Sequence, residues 1–277
     1  MATAADQRAV ARFTDHNNLC CNPTRLAVET RALGVAYGST GYTTRAQADR
    51  IAQLLELGPG VRLADIGAGS GWPGVYFATT SGCTVVGTDL PIDGLRRALD
   101  HATTDRAASR VGFVLASGRR QPLRSGAFDA AVHTDVLCCL GPKETVLREC
   151  YRLLRPGGRL AFTTIHVADD IDAGAHRRAV RAGPWHVTTR RPYSEMVERS
   201  GFTDIAVHDV TTEYERTQRT WLETSEANAD ALRPASSDAE FELGQRERRR
   251  TRAAIEDGLL RRTLITATRP PVDDPAW

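Results

Sequence analysis

A loop rich in glycine carries the clearest chemical signal in this chain of 277 residues. The segment LADIGAGSG (63–71) places Gly67, Gly69 and Gly71 at alternate positions directly after an apolar run. Glycine permits positive φ and lets the backbone approach a ligand closely. A helix that begins behind such a loop presents free N–H groups to a bound molecule. The segment therefore predicts a site where the backbone itself contacts a ligand.

A carboxylate follows this loop at an informative distance. Asp89 lies eighteen residues after Gly71, near the end of the apolar run CTVVGTDL (83–90). An acidic side chain in that place can accept hydrogen bonds from both hydroxyls of a ribose. The loop and the carboxylate together predict a ligand that contains adenosine.

Three interpretations of the loop are open from the residues alone. Gly69, Gly71 and Gly74 satisfy G-x-G-x-x-G, a pattern typical of dinucleotide binding, which would make the protein a nicotinamide-dependent oxidoreductase. In the second interpretation the segment is only a glycine-rich turn, with Asp65 capping loop amides. The third is S-adenosylmethionine, and Asp65 favours it, because a carboxylate before the loop would repel a pyrophosphate but suits the ammonium of a methionine moiety.

Candidate proton acceptors lie at the ends of two later apolar runs, where ligands bind in open α/β sheets. His133 and Asp135 flank the end of FDAAVHT (128–134), and His166 lies near the end of RLAFTTIHV (159–167). Any of the three could act as a base for an acceptor that arrives protonated. In the alternative explanation, His133 is an inert core residue and Asp135 caps the following turn.

The elements that must position these residues alternate between strand and helix from residue 61 to about 165. The five predicted strands span 61–66, 83–90, 113–116, 128–134 and 159–167. Alternation of this kind predicts right-handed βαβ units and an α/β fold with a doubly wound, mostly parallel sheet. Two later apolar runs, 204–210 and 261–269, are further strand candidates.

The order of these segments resembles the class I S-adenosylmethionine-dependent methyltransferases. The resemblance rests on DIGAGSG at 65–71, VVGTD at 85–89, FDAAVHTDVL at 128–137 and LRECYRLLRPGGRLAFTT at 147–164. The loop AYGSTGYTT (36–44) resembles small-molecule members, including phosphoethanolamine, sarcosine and quinone-biosynthesis methyltransferases. The resemblance implies a Rossmann-like sheet with an antiparallel last strand, S-adenosyl-L-methionine as cofactor, and methyl transfer to a small organic acceptor by in-line displacement.

The resemblance also implies which residues contact this cofactor. Asp65 would lie near its amino-acid end, Asp89 would hold the ribose diol, and Thr134 would face the sulfonium region. Leu90 would pack on the adenine, and Ser117 would accept from the adenine amine where many relatives carry an aspartate. The full set of expected cofactor contacts is Tyr37, Asp65, Gly67, Gly69, Gly71, Asp89, Leu90, Ser117 and Thr134.

Small-molecule relatives fold an N-terminal helical segment over the cofactor. This implies a helical lid of residues 1–60 on a methyltransferase domain of residues 61–277. Tyr37 and Tyr42 would hang from the lid and contact the cofactor or the acceptor, because an aromatic face attracts a sulfonium. Tyr37 is assigned to cofactor binding, and Tyr42 is a candidate catalytic residue. Phosphoethanolamine-type relatives pair a lid tyrosine with a histidine where this chain has Cys139, which argues against that acceptor.

Two inserts of the second domain are expected to shape the acceptor pocket, a substrate loop at 168–192 and a helical insertion at 213–257. Aromatic side chains in and beside them favour an apolar or planar organic acceptor; these are Trp185, His186, Tyr193 and Trp221. Most of the rate gain in methyl transfer should come from alignment and desolvation. The alternatives are an NAD(P)-dependent oxidoreductase, or a protein that uses the methyltransferase scaffold without methylating.

Composition excludes several other classes of function. With 36 basic and 34 acidic side chains the chain has no broad electrostatic footprint for nucleic acid. The arginines between 246 and 252 have glutamates among and beside them, so we expect a solvated, ion-paired helix face rather than an RNA site. These glutamates are Glu240, Glu242, Glu247 and Glu256. No apolar run approaches the ~20 residues that span a bilayer. The sequence has no CxxC pair, so we expect no metal site, and the polar N-terminus predicts a cytoplasmic location.

Overall fold

The computed structural model describes residues 10, 13, 22–235 and 237–271. These residues form a seven-stranded sheet in the spatial order β3-β2-β1-β4-β5-β7-β6. The strands are β1 Arg62–Ile66, β2 Thr84–Asp89, β3 Val111–Leu115, β4 Phe128–Thr134, β5 Leu154–Val167, β6 Thr203–Asp209 and β7 Leu260–Thr268. The first five are parallel, and β7 runs antiparallel to both β5 and β6. The predicted doubly wound α/β sheet with an antiparallel last strand is confirmed.

Ten helices of the described chain flank this sheet. They are α1 Pro23–Leu33, α2 Arg45–Leu54, α3 Gly74–Ser81, α4 Ile92–Thr104, α5 Lys143–Leu153, α6 Ala173–Ala182, α7 Tyr193–Arg199, α8 Thr211–Ala227, α9 Ala229–Leu232 and α10 Asp238–Glu256. Within the described ranges no helix combines the length and the apolar character needed to cross a membrane.

Local side-chain chemistry explains where the first two helices begin. The Asn22 side chain accepts a hydrogen bond from the Arg25 amide, and Pro23 occupies the first helical position. Thr44 and Gln47 form a reciprocal capping box at the start of α2. The Thr44 cap fixes where the loop AYGSTGYTT (36–44) ends, and Gly34, with a φ of 80°, ends α1 just before that loop begins.

The two inserts are more ordered than the sequence indicates. The stretch 168–192, expected as a loop, contains α6, whose N-terminus is capped by the Asp172 carboxylate. The helical insertion is interrupted after α8, and Ser237 begins α10 with a second capping box. Helix α1 packs on α8, and α8 packs on α10. Helices α1, α8 and α10 therefore form one helical layer.

Candidate active site

A cavity of about 1150 Å³ opens at the carboxyl ends of β1, β2 and β4. The strand order reverses between β1 and β4, and this switch point is where open α/β sheets bind ligands. One half of the cavity is lined by the glycine loop and the strand ends, and the other half by α1, α6, α8 and α10. The volume exceeds the roughly 300–1,000 Å³ of a typical single-ligand pocket, so it can hold a cofactor beside a second molecule.

The three glycines of the loop have positive φ, namely 78° at Gly67, 52° at Gly69 and 96° at Gly71. Gly67 and Gly69 line the cavity, whereas Gly71 does not. A Cβ on Gly69 would meet no atom within 4 Å, so the backbone there faces open space. A Cβ on Gly71 would lie 2.8 Å from Val75, which makes this glycine a packing requirement of α3.

Asp89 stands at the cavity wall, held in place by the backbone. Its carboxylate accepts N–H bonds from Gly69 at 2.8 Å and Leu90 at 2.7 Å, and burial raises its pKa. Each oxygen retains a lone pair beyond these bonds, so the group can accept further donors such as the two hydroxyls of a ribose. Leu90, Ser117 and Thr134 line the same half of the cavity. This donor and acceptor set fits an adenosine-containing cofactor.

Asp65 lies outside the cavity lining. It is buried at the end of β1, and a Cβ on Gly74 would lie 2.5 Å from its Oδ2 atom. Burial, and then the charge of Asp89, raise the pKa of Asp65 to about 8. Its side chain points at the start of α3, and its expected place near the amino-acid end of the cofactor stays a prediction.

The structure separates the two lid tyrosines. Tyr37 packs against Trp72 with ring centroids 5.3 Å apart, and its hydroxyl donates to Asp105, away from the cavity lining. Tyr42 lines the cavity and meets the ring of Tyr214 edge-on at 5.0 Å. Only Tyr42 is therefore placed to touch a molecule bound there.

Neither histidine predicted as a base lines the cavity. His133 is fully buried, its ring lies 4.5 Å from that of Phe162, and burial lowers its pKa to about 3. His166 follows Ile165, which lines the cavity, so strand alternation turns the histidine to the opposite face beside Tyr193. This geometry gives no support to a catalytic role for His133 or His166.

Asp135 lines the cavity, but its carboxylate is already engaged. Its two oxygens accept from Nε and Nη2 of Arg262, both at 2.9 Å, and the Tyr42 amide donates to Oδ2 at 3.0 Å. The residue has a φ of 57°, in the left-handed region that non-glycine residues rarely adopt. A carboxylate in this bidentate ion pair is not a free base. It instead holds the loop 36–44, the Tyr42 loop, through the Tyr42 amide.

Arg262 holds Asp135 and the lid segment in position, and the sequence prediction missed it. Its side chain is fully buried and also donates to Gln47 Oε1 at 2.8 Å, Thr43 Oγ1 at 3.1 Å and Thr163 Oγ1 at 3.1 Å. One guanidinium thus joins β4, β5 and β7 to the lid segment. The available signal was an arginine inside the apolar strand RRTLITATR (261–269).

The second half of the cavity has an aromatic lining made of Phe13, Tyr42, Trp185, Tyr214, Trp221 and Phe241. Trp185 and Trp221 stand where the sequence placed pocket aromatics, whereas Tyr193 is buried against Phe162. Among the described residues no group of three His, Cys, Asp or Glu side chains is placed to hold a metal ion.

The arginine run on α10 divides between solvent and cavity. Arg249 pairs with Glu226, and Arg252 pairs with Glu256, as expected for an ion-paired face. Arg248 departs from that expectation, because it lines the cavity with its guanidinium 4.6 Å from the centre of the Trp221 ring.

Comparison with known proteins identifies the family. The methyltransferase domain family matches residues 64–162. The 27-O-demethylrifamycin SV methyltransferase of Amycolatopsis mediterranei (strain S699) is 30% identical over 226 residues, which cover 80% of this chain and 82% of that protein. The chain belongs to the S-adenosylmethionine-dependent methyltransferases. S-adenosyl-L-methionine is its cofactor, and the comparisons give no support to the oxidoreductase alternative.

Two further comparisons place this methyltransferase among its relatives. Methyltransferase GfsG of Streptomyces halstedii is 30% identical over 168 residues, which cover 58% of this chain and 60% of that protein. A solved phosphoethanolamine N-methyltransferase 2 from Haemonchus contortus, in complex with phosphomonomethylethanolamine and S-adenosylhomocysteine, has the same fold with a TM-score of 0.76 and 20% identity. That match covers 88% of this chain and 57% of the solved chain.

Proposed function

We propose that this methyltransferase transfers a methyl group to an acidic hydroxyl oxygen of a small organic acceptor in specialised metabolism. The observation that carries the proposal is the continuation of the cavity beyond the glycine loop into a chamber walled by aromatic side chains. Aromatic walls suit a planar or apolar acceptor body. The name of the rifamycin relative, an O-demethylrifamycin methyltransferase, supports oxygen as the methylated atom.

The cofactor half is assigned to residues of the glycine loop and the strand ends. When bound, S-adenosylmethionine supplies a methyl group on a positively charged sulfur. Gly67 and Gly69 provide close backbone approach, and Asp89 accepts from the ribose. Leu90, Ser117 and Thr134 complete the wall, and Tyr42 closes it from the lid side.

Asp89 is assigned to the ribose of the cofactor, and the other described cavity residues at the strand ends provide no free base, which supports an acidic acceptor oxygen. Asp135 is the one predicted base that lines the cavity, and it is paired with Arg262. A phenol-like hydroxyl ionises readily without a strong base, so alignment and desolvation can supply most of the rate gain. Catalysis in this proposal depends on positioning by the chamber.

Three broader expectations belong to the same proposal. Residues 1–60 act as a lid on the methyltransferase domain of 61–277. The acceptor is a free small molecule rather than a nucleic acid or a membrane component. The protein works in the cytoplasm.

The proposal is tested by incubating the enzyme with methyl-deuterated S-adenosylmethionine and paired phenolic and amino acceptors, followed by mass spectrometry. Deuterated methyl groups on phenols, and not on the matching amines, are expected. Methylation of the amines alone would overturn the assignment to oxygen. Binding of S-adenosylhomocysteine without methylation of any acceptor would contradict methyl transfer itself.

The cofactor assignment is tested with Asp89→Ala. Loss of hydrogen bonds to a charged acceptor should weaken S-adenosylhomocysteine binding by about 2–3 kcal/mol, measured by isothermal titration calorimetry. Asp93→Ala is the matched control, because that carboxylate lies on α4 in an exposed pair with Arg96. An unchanged dissociation constant for Asp89→Ala would show that the cofactor binds elsewhere.

A further inference from the structure

A positively charged side chain enters the acceptor half of the cavity without a carboxylate partner. Arg248 is half-buried on α10, and its guanidinium lies over Trp221 and donates to Gln218 Oε1 at 3.4 Å. The part of the chain that the structure describes places no carboxylate within ion-pair distance of it. Buried charges are normally paired, so this arginine is arranged for a partner that comes with a ligand.

A second donor lies on the same wall. Gln245 is 4% exposed, lines the cavity and precedes Arg248 by three residues, which places both side chains on one face of the helix. Its Nε2 atom has no hydrogen-bond partner among the described residues. Unsatisfied buried donors are rare in folded proteins. Arg248 and Gln245 therefore present side-chain N–H donors on the same wall of the cavity, where a ligand oxygen can accept from them.

The surrounding charges reinforce this polarity. Burial lowers the pKa of Arg248, and the charge of Arg25 on α1 acts in the same direction, against the charge of Glu247. Glu240 and Glu247 also line the cavity but are exposed, and Glu240 is bonded to Ser237 as a helix cap. The inner wall is therefore basic, while the acidic side chains lie toward solvent.

We propose that Arg248 and Gln245 bind a carboxylate on the acceptor, so that the enzyme methylates a small hydroxylated organic acid. An arginine stacked on an aromatic ring keeps its N–H edge free for bidentate contact with a planar carboxylate. The carboxylate holds the acceptor in place, and a separate hydroxyl group of the same acceptor receives the methyl group. This inference rests on the proposed function, since it names the acceptor class of the same site.

The test compares acids with their neutral amides in calorimetric titrations of the enzyme saturated with S-adenosylhomocysteine. The probes are benzoate with benzamide, and 2-naphthoate with 2-naphthamide. Each acid should bind at least about tenfold more tightly than its amide, the difference expected for charge-assisted hydrogen bonds. Arg248→Gln and Gln245→Met should each reduce this preference, and Arg248→Gln should remove it.

Arg249→Gln is the matched control, because the neighbouring arginine lies on the solvent side in a pair with Glu226. Equal binding of acid and amide, binding of neither acid at millimolar concentration, or equal effects of Arg248→Gln and Arg249→Gln would overturn the inference. If Arg248→Gln fails to fold, Arg248→Lys keeps the charge and should retain part of the preference. Failure of the proposed function would instead appear in the assay with methyl-deuterated S-adenosylmethionine, as methylation of the amines alone or of no acceptor, whatever the preference for acid over amide in these titrations.

Discussion

At the residue scale, His133 shows that a place near the end of a strand does not make a histidine a base. Burial of its side chain decides its role. Strand β4 is buried on both faces, so its sequence FDAAVHT has no alternation from which to infer where His133 points. The structure places the ring in the core, where neither nitrogen has a partner among the described residues. A histidine in such surroundings stays neutral at physiological pH.

This burial predicts a defined acid sensitivity. The pKa of His133 falls from 6.5 to about 3 on folding, so the unfolded chain binds the proton first as the pH drops. Stability is therefore lost as the pH falls below 6.5, by about 2 kcal/mol at pH 5. His133→Leu should remove that loss in urea denaturation curves and leave methyl transfer intact. Loss of activity in a variant that folds normally would restore His133 as a catalytic candidate.

At the element scale, the predictions that succeeded rest on patterns with a single physical solution. The glycine loop at 63–71 requires backbone conformations that other residues avoid, and the apolar runs of β1 to β5 fit only a covered sheet. Arg262 could not be found in this way. Arg261 and Arg262 are adjacent in β7, one exposed and one fully buried, and the sequence does not say which. Which of the two arginines is buried depends on hydrogen-bond partners from three other segments, namely residues 43–47, Asp135 and Thr163.

The network around Arg262 predicts an asymmetric response to mutation. Arg262→Met leaves the Asp135 carboxylate buried without its cation, so we expect the free energy of unfolding to fall by about 3–5 kcal/mol. The same change frees the Tyr42 loop and should weaken S-adenosylhomocysteine binding. Arg262→Met combined with Asp135→Asn should cost less than the sum of the single changes, because the pair is removed together.

The adjacent arginine provides the control for this network. Arg261 is exposed, and its nearest carboxylate is that of Asp209 at 4.0 Å. Arg261→Met should change the free energy of unfolding by no more than about 0.5 kcal/mol. If Arg261→Met and Arg262→Met lowered the free energy of unfolding equally in urea denaturation, the buried ion pair would contribute no more to stability than the exposed one.

At the scale of the whole molecule, the cavity joins parts that are distant in the sequence. The lid loop, the strand ends and the helical layer of α1, α8 and α10 each supply one wall. Residue types reveal the cofactor wall, because glycines and carboxylates at fixed spacing have few alternative uses. The acceptor wall is built from ordinary aromatic and arginine side chains, whose role depends on how the inserts fold back.

Because separate segments share one cavity, cofactor binding should stabilise the molecule and order the lid. Saturation with S-adenosylhomocysteine at 100 times its dissociation constant should add about 2.7 kcal/mol to the free energy of unfolding. In hydrogen exchange, protection should increase at residues 38–44 and 67–71, where the Tyr42 loop meets the glycine loop. Strand β6, at the far edge of the sheet, serves as the internal control and should be unchanged. Stabilisation without added protection at 38–44 would mean that the cofactor binds the sheet alone and that the Tyr42 loop is no lid.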